Sequence, residues 1–333
     1  MNCQIICQNF VCENPPTNMC HGSTVLPVGE LVLSAWFGGS YEGKDDVKIY
    51  LAKRESGQWS NPQVLSTHEE PHWNPVLACL EDGCIALYYK VGREIASWRT
   101  MVRYSSDCIN WSNPEELVPG DSGGRGPVRC KTIKLSNSRL LAPASTENKI
   151  WKAFADRSDD NGHTWQKSNL IQIENIQYQK AVTARTIEVS EQSFAGRGVI
   201  QPTLWESKPG NIHMLMRSTE GFVYRSDSDN YGETWCSPYP TQLPNNNSGI
   251  DVASNGKGTL VLAYNPVGAN WGVRTPLSLA ISEDNGTSWR PLMDLESEEG
   301  EFSYPAIVFH KGIFHITYTW KRKAVAYWQV KLL

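Results

Sequence analysis

The sequence predicts an all-β protein, a six-bladed β-propeller with Asp-box hairpins, and three observations favour this fold. A turn sequence recurs four times, its copies are spaced by roughly fifty residues, and short β-rich segments fill the intervals. The chain has no convincing amphipathic helix of three turns. A period of about fifty residues is too long for helical solenoids and suits one four-stranded propeller blade with long loops.

Each copy of the repeated turn ends in a tryptophan. The copies lie at residues 105–111, 158–165, 228–235 and 282–289, with a degenerate fifth copy at 55–59. A short Asp or Asn side chain folds such a turn onto its own backbone, Gly takes a positive φ, and Trp anchors the loop on the apolar body. The acidic residues of these turns are therefore predicted to stabilise hairpins rather than to bind ligands.

The spacing of the tryptophans predicts the order of the blades. Those at positions 59, 111, 165, 235 and 289 are 52, 54, 70 and 54 residues apart, and β-rich segments occur at 30–37, 84–89, 211–217 and 259–264. The longest interval predicts an insertion around residues 171–198. The last segment, 302–333, needs partners, and we expect it to share the sixth blade with N-terminal residues, which removes a free sheet edge.

Composition and charge limit the functional classes. A net charge of −4 and a pI near 6.0 argue against a nucleic acid or an anionic membrane as partner. The chain has no run of 18 apolar residues, so no membrane span is predicted. The first residues lack a basic region and an apolar region, so no signal peptide is visible and a cytoplasmic location is expected.

We expect one domain over residues 1–333, because nothing in the chain resembles a linker and a closed propeller of this size is one domain. The 9 cysteines match no zinc-binding spacing, and we expect them to be reduced thiols. No metal and no cofactor are predicted.

Several segments resemble the sialidase (neuraminidase) superfamily, in particular its bacterial and plant branch of BNR-repeat proteins. They lie at residues 36–43, 73–77, 200–203, 243–251 and 302–306, and the Asp-box turns fit the same superfamily. The resemblance extends over nearly the whole chain. It implies a carbohydrate substrate and a glycoside hydrolase of the exo-α-sialidase type, which acts on a terminal, anionic sugar of a glycan.

The resemblance also implies a set of site residues. The substrate of a sialidase has a carboxylate at its anomeric carbon, and arginine side chains bind carboxylates through two parallel hydrogen bonds. Because an anionic nucleophile would repel this carboxylate, sialidases use a tyrosine, polarised by a carboxylate, together with an aspartate as acid/base. By resemblance, Arg217 and Arg274 are two of the three family arginines and Tyr304 is the nucleophile.

Three positions depart from the family pattern. The first family arginine is missing: no arginine precedes Arg54, and His21 begins the segment in its place. Gln201 occupies the position of the glutamate that activates the tyrosine, and an amide cannot accept the proton. The acid/base group is expected at Glu42 or Asp46. We therefore expect an anion-binding set reduced to two arginines and slow or absent hydrolysis of a standard α-sialoside.

Further candidates follow from their positions in turns and strands that face the expected central funnel. Three tryptophans are candidates for stacking on a sugar ring, and ordinary packing is the alternative for them: Trp36, Trp73 and Trp151. Those for polar contacts with the substrate are Lys131, Glu147, Asn247 and Asp251. Those that would replace the missing arginine are Arg125 and Arg129.

Two other functions remain open at this point. One is a glycosidase or lyase that acts on another uronate- or deoxysugar-containing polysaccharide, with His21 as the principal proton carrier, because a neutral imidazole can exchange protons near pH 7. The other is a non-catalytic glycan-binding propeller, whose funnel binds a sugar and does not cleave it.

Overall fold

The computed structural model describes residues 2–174, 176 and 182–333. Within them are 25 β-strands, a 3-10 helix at Ile95–Ser97 and one short α-helix, α1, at Glu191–Ala195. The first thirteen strands are β1 (Cys3–Phe10), β2 (Met19–Val28), β3 (Leu31–Gly39), β4 (Lys48–Glu55), β5 (Gln58–Trp59), β6 (Gln63–Val64), β7 (His72–Cys79), β8 (Ile85–Val91), β9 (Arg99–Ser105), β10 (Glu115–Glu116), β11 (Ile133–Lys134), β12 (Leu140–Glu147) and β13 (Ile150–Ser158). The other twelve are β14 (Gln166–Lys167), β15 (Arg197–Lys208), β16 (Asn211–Ser218), β17 (Phe222–Ser228), β18 (Tyr239–Pro244), β19 (Asp251–Ser254), β20 (Leu260–Tyr264), β21 (Leu277–Ser282), β22 (Arg290–Glu296), β23 (Phe302–His310), β24 (Ile313–Trp320) and β25 (Ala324–Leu332). The chain is all-β, as predicted.

Antiparallel pairing joins consecutive strands into sheets. Strands β2 to β6 form one sheet, β7 to β10 a second and β19 to β22 a third. Strands β11 to β18 form an eight-stranded sheet, whose halves, β11–β14 and β15–β18, are joined by a short parallel pairing of β13 with β15. The last sheet has the order β23, β24, β25, β1. The predicted pairing of the C-terminal segment with N-terminal residues is confirmed by the β1–β25 ladder.

Six buried clusters of the hydrophobic core each lie between two neighbouring sheets or half-sheets. A seventh, smaller cluster contains Trp151, Ile200 and Trp271. Residues of β3 and β8 meet in one cluster, for example Leu33 and Leu87. Another cluster joins the last sheet to the first, where Trp36 of β3 and Tyr327 of β25 are both buried. Because the side chains of a strand point alternately to its two faces, both faces of each sheet can contribute to a cluster.

The Asp-box turns satisfy their own backbone, as the sequence predicts. In the second copy, Asp160 Oδ1 accepts from Thr164 N at 2.8 Å, and Gly162 N donates to Ser158 Oγ at 2.8 Å. Trp165 Nε1 donates to Gly162 O at 2.9 Å. The copies at 228–235 and 282–289 repeat these bonds. The first copy lacks the glycine, and there Cys108 takes the positive φ, at 60°.

The insertion predicted at residues 171–198 lies partly outside the described residues, because 175 and 177–181 are not described. Its later part, which includes α1, runs beside the turn near Trp271. Ala184 N donates to Asn270 O at 3.0 Å and Thr186 N donates to Trp271 O at 2.9 Å. These backbone bonds hold the segment beside the cavity that is described next.

Candidate functional site

The first strands of three sheets and of the sheet half β15–β18 carry the same bulge. The pairing register shifts near the start of β2, β7, β15 and β23. At each shift one residue has a left-handed φ: Gly22 at 57°, Asn74 at 45°, Gln201 at 49° and Tyr304 at 53°. Bulges re-aim side chains, and non-glycine residues with positive φ are common at functional sites. The side chains of Asn74, Gln201 and Tyr304 line one cavity.

This cavity has a volume of about 460 Å³ and combines charged side chains with aromatic ones. Its charged lining residues are Glu42, Arg93, Glu94, Glu147, Glu188, Arg217, Arg274 and Arg322, and its aromatic ones are Tyr41, Trp73, Trp98, Trp271 and Tyr304. The insertion supplies part of one wall through residues 188–190, 192 and 193. Of the predicted site residues, the structure therefore brings together Glu42, Trp73, Glu147, Gln201, Arg217, Arg274 and Tyr304.

Besides Arg93, three arginines line the cavity: the two predicted ones and Arg322. Arg217 lies at the end of β16, Arg274 precedes β21, and Arg322 lies in the turn between β24 and β25. Glu301 positions two of them: its Oε1 accepts from Arg274 Nη1 at 2.6 Å, and both of its oxygens accept from Arg322 Nε at 2.9 Å. Arg322 Nη1 also donates to Glu42. The sequence predicted two arginines at this site, and the turn between β24 and β25 adds the guanidinium of Arg322 to the lining of the cavity.

Arg217 is fixed by three neutral acceptors. Its Nη1 donates to Tyr304 OH at 2.8 Å and to Gln201 Oε1 at 3.1 Å, and its Nε donates to Asn247 Oδ1 at 3.0 Å. No acceptor among the described residues takes Nη2 of Arg217, Arg274 or Arg322. Each of these three arginines thus keeps donors for a ligand.

The ring of Tyr304 lies among cations and above His21. The guanidinium carbons of Arg129, Arg217 and Arg274 are 5.6, 5.7 and 5.3 Å from the centre of the ring. The His21 ring is 4.3 Å from the Tyr304 ring, and its Nδ1 contacts Thr319 Oγ1 at 2.9 Å. Burial, reinforced by the neighbouring arginines, lowers the pKa of His21 well below its usual value. The His21 ring packs against the Tyr304 ring and does not line the cavity.

Of the four carboxyl groups that line the cavity, Glu42 and Glu147 interact with its arginines. Glu42 lines it and pairs with Arg322. Glu147 lies at the end of β12, 3.5 Å from Gln201 Nε2, and burial raises its pKa although Arg217 opposes this. Asp46 does not line the cavity: it accepts from Ser40 N at 2.9 Å and Ser40 Oγ at 3.0 Å on the exposed loop. The structure therefore favours Glu42 over Asp46.

Several other candidates lie outside the cavity because they have structural partners. Trp36 is buried and stacks on Tyr50 at 5.9 Å. Lys131 pairs with Asp251 at 2.9 Å, and Asp251 also accepts from Thr203 Oγ1 at 2.5 Å. Asn247 is buried, and its Oδ1 accepts the hydrogen bond from Arg217 Nε described above.

The remaining candidates are also internal. Trp151 is buried beside Trp271, with ring centres 6.1 Å apart. Arg125 binds the carboxylate of Asp156 through two bonds of 2.8 and 3.0 Å. Arg129 is buried, and its Nη1 donates to Pro305 O at 2.8 Å. Neither Arg125 nor Arg129 lines the cavity.

Arg322 belongs to none of the segments that resemble the family. The only sequence feature that could have identified it as a site residue is the turn in which it lies. Lys323 N donates to Trp320 O at 2.9 Å, which closes a turn whose central residues, Lys321 and Arg322, have φ of 50° and 53°. Hairpin turns with positive φ at both central positions prefer Asn and Gly there. Two long basic residues between two strands were the feature that could have marked this turn as functional.

Within the described residues, no group of three or more His, Cys, Asp or Glu side chains is arranged to hold a metal ion. All 9 cysteines are free thiols. The described helices include none that has the length and apolar character required to cross a membrane.

Known structures with a similar fold include sialidases. A protein of unknown function from Dyadobacter fermentans has a TM-score of 0.76 at 14% identity, over 100% of both chains. The Hadza microbial sialidase Hz136 has a TM-score of 0.73 at 15% identity, over 95% of this chain and 66% of that one. The NanB sialidase from Streptococcus pneumoniae has a TM-score of 0.71 at 13% identity, over 99% of this chain and 70% of that one. At these identities the similarity shows the fold alone.

The chain spans about two thirds of the length of the Hadza microbial sialidase. No curated protein matches it in sequence. A family model, described as the BNR repeat-like domain, matches residues 29–316 and thus most of the chain. The chain therefore belongs to the BNR repeat-like domain family, within the sialidase-like BNR-repeat superfamily.

Proposed function

We propose that the protein is a six-bladed β-propeller that acts as a sialidase-like exo-glycoside hydrolase on a terminal, anionic sugar. The two halves of the eight-stranded sheet, counted separately, give six strand groups with the four other sheets. Six buried clusters connect these groups in sequence and connect the last to the first. Both observations support six blades around one axis, with the cavity at the axis.

The observation that carries the proposed activity is the convergence of three arginines and Tyr304 on one cavity. Arg217, Arg274 and Arg322 each keep Nη2 free of acceptors among the described residues, and the phenolic oxygen of Tyr304 lies 2.8 Å from Arg217 Nη1. A carboxylate is the ligand that planar guanidinium groups bind best in this arrangement. A sugar whose carboxylate adjoins the anomeric carbon would present that carbon to Tyr304.

In this proposal Tyr304 is the nucleophile, or it stabilises the positive charge that develops on the sugar ring. The two proton carriers would be Glu42 and Glu147, whose environments differ. Burial raises the pKa of Glu147, which favours its neutral form, whereas Glu42 is paired with Arg322. Pairs of carboxyl groups in unequal environments are typical of acid/base assignments in glycosidases.

A catalytically silent, glycan-binding propeller is the second candidate, and Gln201 favours it. Gln201 Oε1 accepts from Arg217 at 3.1 Å, and the amide cannot take the proton of Tyr304. Because Arg322 lines the cavity, the missing family arginine no longer argues against hydrolysis of a sialoside. The replacement of the family glutamate by Gln201 still does, because no base remains at that position. The alternative that uses His21 as the principal proton carrier is not favoured, because the ring is buried beneath Tyr304 and does not line the cavity.

The test is a panel of aryl glycosides: an α-sialoside, a β-glucuronide and a neutral β-galactoside. We expect turnover of an anionic glycoside and not of the neutral one. Tyr304→Phe should lower that turnover by about a hundredfold or more, because the nucleophilic oxygen is lost. The matched control is Tyr41→Phe, which removes a hydroxyl from the same cavity wall and should change turnover little. Equal hydrolysis of neutral and anionic glycosides would refute the proposal, and saturable binding of an acidic sugar without cleavage would favour the glycan-binding function.

A further inference from the structure

A second group of reactive side chains lies on the surface of the sheet half β15–β18, outside the cavity. Ser207 near the end of β15, His213 of β16 and Asp227 of β17 are neighbours across the strands. Ser207 Oγ contacts His213 Nε2 at 2.7 Å, and His213 Nδ1 contacts Asp227 Oδ1 at 2.5 Å. This is the order of contacts found in the serine–histidine–aspartate hydrolases, which is recognised by geometry and not by position in the chain.

The aspartate of this group is held in the ionised form. Tyr239 OH donates to Asp227 Oδ2 at 2.5 Å, and Arg225 Nε donates to Asp227 Oδ1 at 2.9 Å. Although burial opposes ionisation, the bonds from His213, Tyr239 and Arg225 lower the pKa of Asp227 to about 2. An ionised Asp227 favours the tautomer in which His213 Nδ1 carries the proton, so that Nε2 is left as the acceptor for Ser207.

The imidazole is fixed from its other sides as well. The Trp205 ring stacks on His213 with centres 5.0 Å apart. Arg225 Nη2 lies 2.9 Å from His213 Nδ1 but makes no hydrogen bond to it in this tautomer, because Nδ1 carries a proton. Asn285 Nδ2 lies 3.0 Å from His213 Nε2, and Trp205 Nε1 donates to Asn285 Oδ1 at 2.8 Å. The amide of Asn285 therefore points its nitrogen toward the side of the ring where Ser207 lies.

Ser207 itself lies at an irregular place in the ladder. The pairing of β15 with β16 shifts its register between Glu206 and Lys208, and Ser207 is exposed there. A bulge turns a side chain away from the regular pleat and is common beside functional groups. The Ser207 hydroxyl is thus accessible to an incoming carbonyl group, whereas His213, its base, is only 8% exposed.

We propose that Ser207, His213 and Asp227 form a second catalytic site, a serine esterase for short-chain acyl esters. Ser207 Oγ attacks the carbonyl carbon and its proton passes to His213 Nε2. The bond to the alcohol oxygen then breaks, the electron pair leaves with that oxygen, and His213 protonates it. Water then attacks the acyl carbon and gives a proton to His213 Nε2. The bond between that carbon and Ser207 Oγ breaks, and His213 returns the proton to Oγ, so that the net reaction is ester plus water to acid plus alcohol.

The substrate class follows from the shape and the donors of this surface. An exposed serine on a hairpin offers little enclosed volume for an acyl chain, so acetyl and similarly small acyl groups fit best. Asn285 Nδ2 lies 3.0 Å from His213 Nε2, the nitrogen that contacts Ser207, and the second N–H of this amide is suited to stabilise the oxygen that becomes negative in the tetrahedral intermediate.

The experiment is labelling with a serine-reactive fluorophosphonate, with the modified peptide identified by mass spectrometry, beside hydrolysis of p-nitrophenyl acetate. We expect the label on Ser207, and Ser207→Ala and Asp227→Asn should each reduce labelling and acetate release by about a hundredfold or more. The matched control is Ser136→Ala: Ser136 Oγ donates to the Glu206 carboxylate at 2.8 Å, an exposed serine next to an acid but without an imidazole. It should leave both signals unchanged.

Labelling of the wild-type protein decides whether the esterase inference holds, and this result does not depend on the glycosidase activity proposed for the cavity. If the wild type is not labelled, or if the label lies on another serine, the three residues are only a bracing network of the hairpin and the inference is wrong. Because Ser207 is exposed, Ser207→Ala should keep the wild-type thermal transition and its binding of an acidic sugar. Loss of the esterase alone would thus leave the proposed function of the cavity untouched.

Discussion

At Arg322 the requirements of the backbone and of the site conflict. A left-handed φ costs an ordinary residue about 1 kcal/mol, and the turn places two such residues side by side, Lys321 and Arg322. Glu301 and Glu42 bind the guanidinium from two sides and hold it at the cavity. Strain of this kind persists where the surroundings over-determine it, which is common at functional sites.

The first prediction concerns the third arginine. Arg322→Ala should weaken binding of an acidic sugar by about 30- to 100-fold, corresponding to about 2–3 kcal/mol, because one charge-assisted contact is lost. Titration calorimetry with a sialic or uronic acid measures it. Lys323→Ala removes an exposed charge from the same turn and should change the affinity by less than about threefold. Equal losses in both variants would mean that the effect is general attraction and not a contact.

The second prediction concerns Glu301 and has a defined sign. Burial opposes its ionisation, but Arg274 and Arg322 outweigh this and lower its pKa from the ordinary value of 4.5. The stabilisation is therefore fully present above pH 4.5 and is lost as the pH falls through the folded-state pKa. Thermal melts should show Glu301→Gln below the wild type at pH 7, with a difference that shrinks as the pH falls below 4.5. Glu298→Gln, at an exposed ion pair, should show almost no difference. A gap that stayed constant down to pH 3 would contradict the ion-pair explanation.

Among single elements, the Asp-box hairpins were the most predictable from sequence, because each turn satisfies itself with residues a few positions apart. The bulges at Asn74, Gln201 and Tyr304 were less predictable, since their shifts are defined by the partner strand. Each of these three residues precedes a proline, Pro75, Pro202 and Pro305, and that recurrence was available in the sequence.

The third prediction tests the capping of one hairpin. Asp284 accepts from Ser288 N at 2.9 Å and from Ser288 Oγ at 2.6 Å, and these bonds lower its pKa to about 2. Asp284→Ala should lower the free energy of unfolding by about 1–2 kcal/mol in a denaturant titration. Asp284→Asn should cost much less, since Asn230 occupies the same position in the preceding copy and accepts from Thr234 N at 3.0 Å. Equal losses in the two variants would show that the charge, and not the turn geometry, is what matters.

At the scale of the whole molecule, the sheet of β23, β24, β25 and β1 joins the strands that are farthest apart in the sequence. Its pairing was predictable because the last segment had no other partner, and β1 does pair with β25. What sequence alone could not provide is the contact of Arg322 with Glu42, which lies 280 positions away. That contact exists only after the first and last sheets have packed together, so no local pattern encodes it.

The fourth prediction tests this closure. Val11 N donates to Val325 O at 2.9 Å, and because antiparallel ladders alternate, Cys7 should donate to Gln329 in the same way. Cys7→Pro removes that donor and should lower the free energy of unfolding by about 2–3 kcal/mol. Cys7→Val keeps the donor and suits a strand, so it should remain close to the wild type. If the proline variant were as stable as the valine variant, β1 would contribute little to holding the molecule closed.

The central claim is that Arg217, Arg274 and Arg322 together bind the carboxylate of a terminal sugar in front of Tyr304. The most direct measurement is a crystal structure of the Tyr304→Phe protein soaked with an acidic monosaccharide. The account predicts that the sugar carboxylate lies within hydrogen-bond distance of all three guanidinium groups, about 2.7–3.0 Å, with the anomeric carbon facing the ring at position 304. A sugar bound elsewhere, or with its carboxylate turned away from the arginines, would contradict it.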